Sequence, residues 1–161
     1  MSLGHGATIV RDGLVLYLDA ANEKSYPGSG TTWYDLSGNG NDVTLINNPT
    51  YSTNNNGSFI FDGVDEYLSS VSLTHNGTLT AIFVAKYQSK SAYHNFFDRS
   101  AADPMLWIRP VDTLELNKSD GAVTTSTYTN EIHSFATISE SAGVSTIYVE
   151  GAHVITDTQG S

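Results

Sequence analysis

Short stretches in which apolar residues recur at every second position run through most of this chain, and they limit what it can fold into more than any other feature. A period of two sends successive side chains to opposite faces of an extended backbone. In residues 13–20, Leu14, Leu16 and Leu18 fall on one face, while Val15, Tyr17 and Asp19 fall on the other. Residues 58–61 and 67–71 read as two further strands, connected by a turn at Asp62-Gly63. Residues 79–87 are apolar on both faces, which predicts a central, covered strand. The series continues at 96–97, 105–108, 114–116, 123–129, 134–139 and 144–150. Turn residues punctuate it at Asp103-Pro104, at 117–121 and at 141–143. Many short strands at spacings of about 8–12 residues predict an all-β sandwich or barrel. No segment carries a helical period. Residues 21–32 have room for one helical turn, stopped by Pro27, Gly28 and Gly30. Residues 47–57, rich in asparagine, read as an exposed loop.

At 161 residues the chain has the length of a single domain, read as residues 10–161 behind an N-terminal arm at 1–9. That length buries enough surface to form a core without covalent staples. There is no cysteine, which removes disulfides, thiolate metal sites and cysteine nucleophiles together. The net charge of -10 arises with only 15% charged residues, so it reflects scarce Lys and Arg rather than acidic runs. An acidic surface repels phosphate backbones, so no nucleic-acid partner is expected. No apolar run approaches the roughly 20 residues of a membrane helix, so no membrane partner is expected either. Residues 1–6 lack the basic start and apolar stretch of a secretory signal, which predicts synthesis in the cytoplasm without a signal peptide.

The loop Asp35-Leu36-Ser37-Gly38-Asn39-Gly40-Asn41-Asp42 imitates the start of a calcium loop. The twelfth position, where an EF-hand needs a bidentate glutamate, is Ile46, so the EF-hand reading fails. Two readings stay open. Asp35, Asn39 and Asp42, joined by Asp62 or Asp65, could supply hard oxygen ligands to calcium. Alternatively, Gly38 and Gly40 permit positive φ while Asp35 and Ser37 accept backbone N–H groups and lock the turn. Asp62 reads as a cap on the turn at Gly63, and Asp65 and Glu66, being adjacent, cannot form a facing acid/base pair on a strand.

No enzyme is expected. Two carboxylates converging on one glycosidic bond need strand positions of like parity, and Asp112 and Glu115 differ in parity. His5, His75, His94, His133 and His153 show no metal-binding spacing. No strand–turn–helix nucleophile elbow is present. Asn56-Gly57-Ser58, Asn76-Gly77-Thr78 and Asn117-Lys118-Ser119 match the glycosylation pattern, which has no consequence without secretion. The aromatic residues are the better binding candidates. Trp33, Tyr34, Tyr51, Tyr93 and Tyr128, with Asn39 and Asn41 to take hydroxyls, could stack on a glycan. The competing reading packs Trp33 under its own loop and puts Trp107 in the core.

The motifs Trp33-x-Asp35-x-Ser37-Gly38-Asn39-Gly40-Asn41, 61–67 (Phe-Asp-Gly-Val-Asp-Glu-Tyr) and Ile147-Tyr148-Val149-Glu150-Gly151 resemble those of concanavalin A-like, laminin G-like domains. The opening at residues 11–22 is similar to the start of such domains in virion proteins of tailed phages, notably marine phages. The resemblance spans about residues 10–155. It implies a two-sheet antiparallel jelly roll. It implies a non-catalytic structural protein displayed on the virion surface, as a capsid decoration, fibre or appendage bound to capsid or tail subunits. The alternative is a lectin-like carbohydrate-binding module that adheres to host-surface glycans. No cofactor is required by either, and calcium is the one candidate ion. Such domains usually add strands after the 147–151 motif, whereas this chain ends at Ser161. Missing C-terminal strands would leave an edge at Leu14–Leu18 open, which predicts a homo-oligomer joined there.

Overall fold

The computed structural model describes residues 9–70, 73, 79–86, 94–97, 105–108, 113–118, 121–127, 133–139 and 144–158. Side chains are described for 9–54, 56–70, 73, 80–86, 146 and 148–152. The turns at Asp103-Pro104 and 141–143, and His5, His75, Asn76-Gly77, Tyr93, Asp112 and Tyr128, lie outside the described residues. The fold is all-β with antiparallel pairing, and its described helical content is one 3-10 turn, Asn54–Asn56. Two compact units divide the chain, residues 1–74 and 75–161.

In the first unit, β1 (Thr32–Trp33), β2 (Val43–Ile46) and β5 (Tyr67–Ser70) form one sheet in the order β1-β2-β5. β3 (Thr50–Ser52) and β4 (Ser58–Ile60) form a separate hairpin. The alternation in β2 works as a strand should: Val43 and Leu45 are buried and Thr44 faces out. Aromatic rings fill the rest of this core. Phe59 lies 4.8 Å from Tyr26, 5.6 Å from Tyr51 and 4.7 Å from Trp33, centroid to centroid, and Tyr26 and Tyr51 are 4.9 Å apart. Tilted and edge-on pairs of this kind suit the ring quadrupole.

Two expectations for this unit change. Residues 13–20 form no ladder; the segment is extended, but side chains of other segments take many of its backbone groups. Residues 47–57 are more than a loop: Thr50–Ser52 pairs with Ser58–Ile60, and Pro49 is buried. The strands expected on either side of Asp62-Gly63 form, as β4 and β5, and each pairs elsewhere, β4 with β3 and β5 with β2. Residues 21–32 form no helix; the Ser25 and Tyr26 N–H groups both donate to the Asn22 carbonyl, at 2.8 Å each, in an isolated hydrogen-bonded turn.

The second unit has two four-stranded antiparallel sheets. One runs in the order β10 (Gly121–Thr127), β9 (Thr113–Lys118), β8 (Met105–Ile108), β7 (His94–Phe97). The other runs β13 (Ala152–Thr158), β12 (Val144–Val149), β11 (His133–Ser139), β6 (Leu79–Ala85). β6 forms as expected but stands at the end of its sheet rather than in the middle. Ala81, Phe83 and Ala85 are half-buried, whereas Ile82 and Val84 on the opposite face are 75% and 70% exposed. Apolar residues on both faces do not by themselves make a strand covered.

β12 and β13 are joined by Glu150-Gly151, with Val149 facing Ala152. Both turn residues have positive φ, 51° and 73°. That is the two-residue turn whose twist matches the flanking strands. Glycine takes the conformation freely, while glutamate has to bear it.

Candidate functional site

The densest polar construction in the described residues is the loop at 35–42, and Asp35 is its centre. Asp35 Oδ1 accepts the N–H groups of Tyr17 (2.9 Å) and Ser37 (2.8 Å). Its Oδ2 accepts the Ser37 hydroxyl (2.6 Å) and the Asn41 N–H (3.0 Å). The Asp35 N–H in turn donates to Asp42 Oδ1 at 2.8 Å. Burial pushes the Asp35 carboxyl up, but the Ser37 hydroxyl and the Tyr17, Ser37 and Asn41 N–H groups together outweigh it and hold the group below its usual value.

The rest of the loop holds the extended segment 14–19. Asn39 Nδ2 lies 2.7 Å from the Leu14 carbonyl and 3.1 Å from that of Val15. Asn41 Nδ2 donates to the same Val15 carbonyl at 2.8 Å. The Ser37 hydroxyl is within 3.2 Å of Val15 O, but its one proton favours the shorter contact to a charged oxygen. The Leu36 N–H donates to Tyr17 O at 2.8 Å. Further along, Ser25, fully buried, accepts from Asp19 N–H at 3.1 Å and donates to Tyr34 O at 2.7 Å. Polar side chains thus perform what a neighbouring strand does elsewhere. They satisfy backbone groups of Leu14, Val15, Tyr17 and Asp19 in a segment that has no ladder partner.

The five oxygen-bearing residues considered for calcium fall into two places. Asp35, Asn39 and Asp42 share the loop just before β2. Asp62 and Asp65 belong to the turn before β5, and β5 runs antiparallel with Ile46 facing Tyr67. The two groups therefore flank opposite ends of β2, roughly 15 Å apart at about 3.4 Å per residue. Calcium ligands lie about 2.3–2.6 Å from the ion, so these residues do not form one coordination shell. Asp62 Oδ1 caps its own turn, accepting the Val64 N–H at 2.8 Å. Glu66 accepts the Asp62 N–H at 2.6 Å, and the Asp65 carbonyl accepts Asn47 Nδ2 at 2.8 Å. Among the described residues, no group of three or more His, Asp or Glu side chains is placed to hold a metal ion.

Of the ring candidates, Tyr34 is 45% exposed beside the loop. Its backbone is pinned, with N–H to Ser25 O at 2.8 Å and carbonyl to the Ser25 hydroxyl. Trp33 is half-buried against Phe59, a residue of a different hairpin rather than of its own loop. The Trp33 indole N–H is buried with no partner. Tyr51, another ring candidate from sequence, is a half-buried clamp. Its hydroxyl donates to Ala20 O at 3.0 Å. Gly57 completes that clamp: a Cβ there would sit 2.4 Å from Ala20 O and 2.9 Å from the Tyr51 hydroxyl. The sequence signal was Asn56-Gly57 after an isolated aromatic, which reads first as a plain turn.

Comparison with known proteins finds no matching family model, no similar curated protein and no similar solved structure.

Proposed function

We propose that this chain is a non-catalytic structural protein of a phage particle, a concanavalin A-like jelly roll displayed on the virion surface. It would be made in the host cytoplasm and would dock on capsid or tail subunits. The observation that supports this reading best is how the loop at 35–42 uses its polar groups. Three of the four Asp35 carboxylate contacts are to backbone N–H groups and the fourth is to the Ser37 hydroxyl, while both asparagine carboxamides donate to backbone carbonyls of 14–15. A loop built so holds shape, which is what a display module requires. The acidic, cysteine-free composition fits a soluble assembly component. A homo-oligomer formed through the segment near Leu14–Leu18 belongs to the same reading. Purified particles should contain the chain at a fixed copy number, located on the outside by reconstruction. Particles that lack it would end the proposal.

A lectin-like module is the second reading, and the exposed Tyr34 ring, next in sequence to the loop, favours it. A glycan array should then show binding that Tyr34→Ala abolishes without lowering the melting temperature. Calcium dependence would appear as a melting temperature raised by the ion and reversed by chelator.

A further inference from the structure

Two Asn-Gly pairs lie within the described residues, Asn39-Gly40 and Asn56-Gly57, and the fold treats them differently. This dipeptide can modify itself, because the small glycine lets its backbone nitrogen reach the preceding carboxamide. At Asn39 that nitrogen is unengaged: the Gly40 N–H donates to no group among the described residues. The carboxamide is what is held, through Nδ2, by Leu14 O, Val15 O and Ser37 Oγ. At Asn56 the restraint is reversed. The Asn56 side chain is exposed, but the Gly57 N–H is engaged with Asn54 O at 3.2 Å.

We propose that Asn39 is a self-modification site gated by docking of residues 14–19. When the segment lifts, the carboxamide is released. A solvent base removes the Gly40 proton, and the Gly40 nitrogen bonds to Asn39 Cγ. The Cγ–Nδ2 bond breaks, and Nδ2 takes a proton from water and leaves as ammonia. Water then opens the resulting succinimide at either carbonyl, giving aspartate or isoaspartate at position 39. The product cannot close the latch again. A donor has become an acceptor-only carboxylate facing two backbone carbonyls, and like-polarity groups left unpaired there are unfavourable. The change is thus one-way and leaves 14–19 undocked.

The test follows the full chain at mildly alkaline pH across sub-denaturing guanidinium. Peptide mapping measures aspartate and isoaspartate at 39 and 56, and hydrogen exchange follows the Tyr17 amide, which reports docking through its bond to Asp35. Conversion at 39 is expected to rise in step with Tyr17 exchange and to reach the unfolded-chain rate when docking is lost. A rate at 39 that stays flat while Tyr17 exchange rises overturns the proposal, as does a native rate equal to the unfolded one. Independently, Asn39→Asp should lose Tyr17 protection while β11 and β12 amides keep theirs. Unchanged Tyr17 protection in that variant also overturns it. The first arm uses the unaltered chain, so it does not depend on the variant folding.

Discussion

The loop at 35–42 and the β12–β13 turn both hold extended backbone in place, by opposite means. The loop uses specific side chains: Asp35 alone gathers donors from Tyr17, Ser37 and Asn41. The β12–β13 turn relies on backbone conformation, with positive φ at Glu150 and Gly151 and a ladder running on from Val149 and Ala152. A side-chain lock concentrates stability in a few polar atoms, so single substitutions should be costly. A ladder spreads it over many weak bonds, so single changes should be mild.

The contrast can be broken most severely at Gly57, where Tyr51 ties the end of the locked segment. Gly57 has φ 132° and Ala20 O in its path, so Gly57→Ala combines backbone strain with a collision. It should cost about 3 kcal/mol or more, read from urea denaturation followed by Trp33 fluorescence. Next is Asp35→Ala, which strands the Tyr17 and Asn41 N–H groups and should cost about 2–3 kcal/mol. Exchange protection should fall at Tyr17 and Asn41 and persist in β11–β12; uniform loss would mean that the lock is not local. Acid should give a smaller, reversible version of the same loss. Because the folded Asp35 carboxyl lies below its ordinary value, its contribution is complete above about pH 4 and is lost as pH falls through the lower folded value. Denaturation midpoints against pH should therefore slope less in Asp35→Asn than in the parent. Smallest is Gly151→Ala in the backbone-defined turn, at about 1 kcal/mol from left-handed φ alone. A larger loss there than at Asp35 would reverse the comparison.

Strand positions in the second unit were legible because β-branched residues recur there in long runs, as in Val144–Val149 and Gly121–Thr127. Ala152–Thr158 was missed, its alternation diluted by His153 and Asp157. β2 and β3 were missed for another reason: asparagines flank both, at Asn41 and Asn47-Asn48 around β2 and within 47–57 around β3, so turn composition masks two short strands. The segment 13–20 was misread in kind. Its alternation is genuine, but a pattern of apolar residues states that backbone is extended, not which atoms will satisfy it. The locking roles of Asp35 and Ser37 were readable because short polar residues beside glycine favour local side-chain-to-backbone bonds. That Asn39 and Asn41 reach back to Leu14 and Val15 was not, since no local rule encodes a partner more than twenty residues away.

The Ala20–Tyr51–Gly57 clamp also explains an apparent signal for sugar attachment. Asn56 has φ 66°, a conformation asparagine tolerates better than most residues, and position 57 excludes every side chain. Two of the three residues in Asn56-Gly57-Ser58 are therefore dictated by backbone sterics, and the acceptor pattern arises as their by-product. Since Asn56 is exposed, passage through a eukaryotic secretory route would decorate a site whose sequence answers to geometry alone.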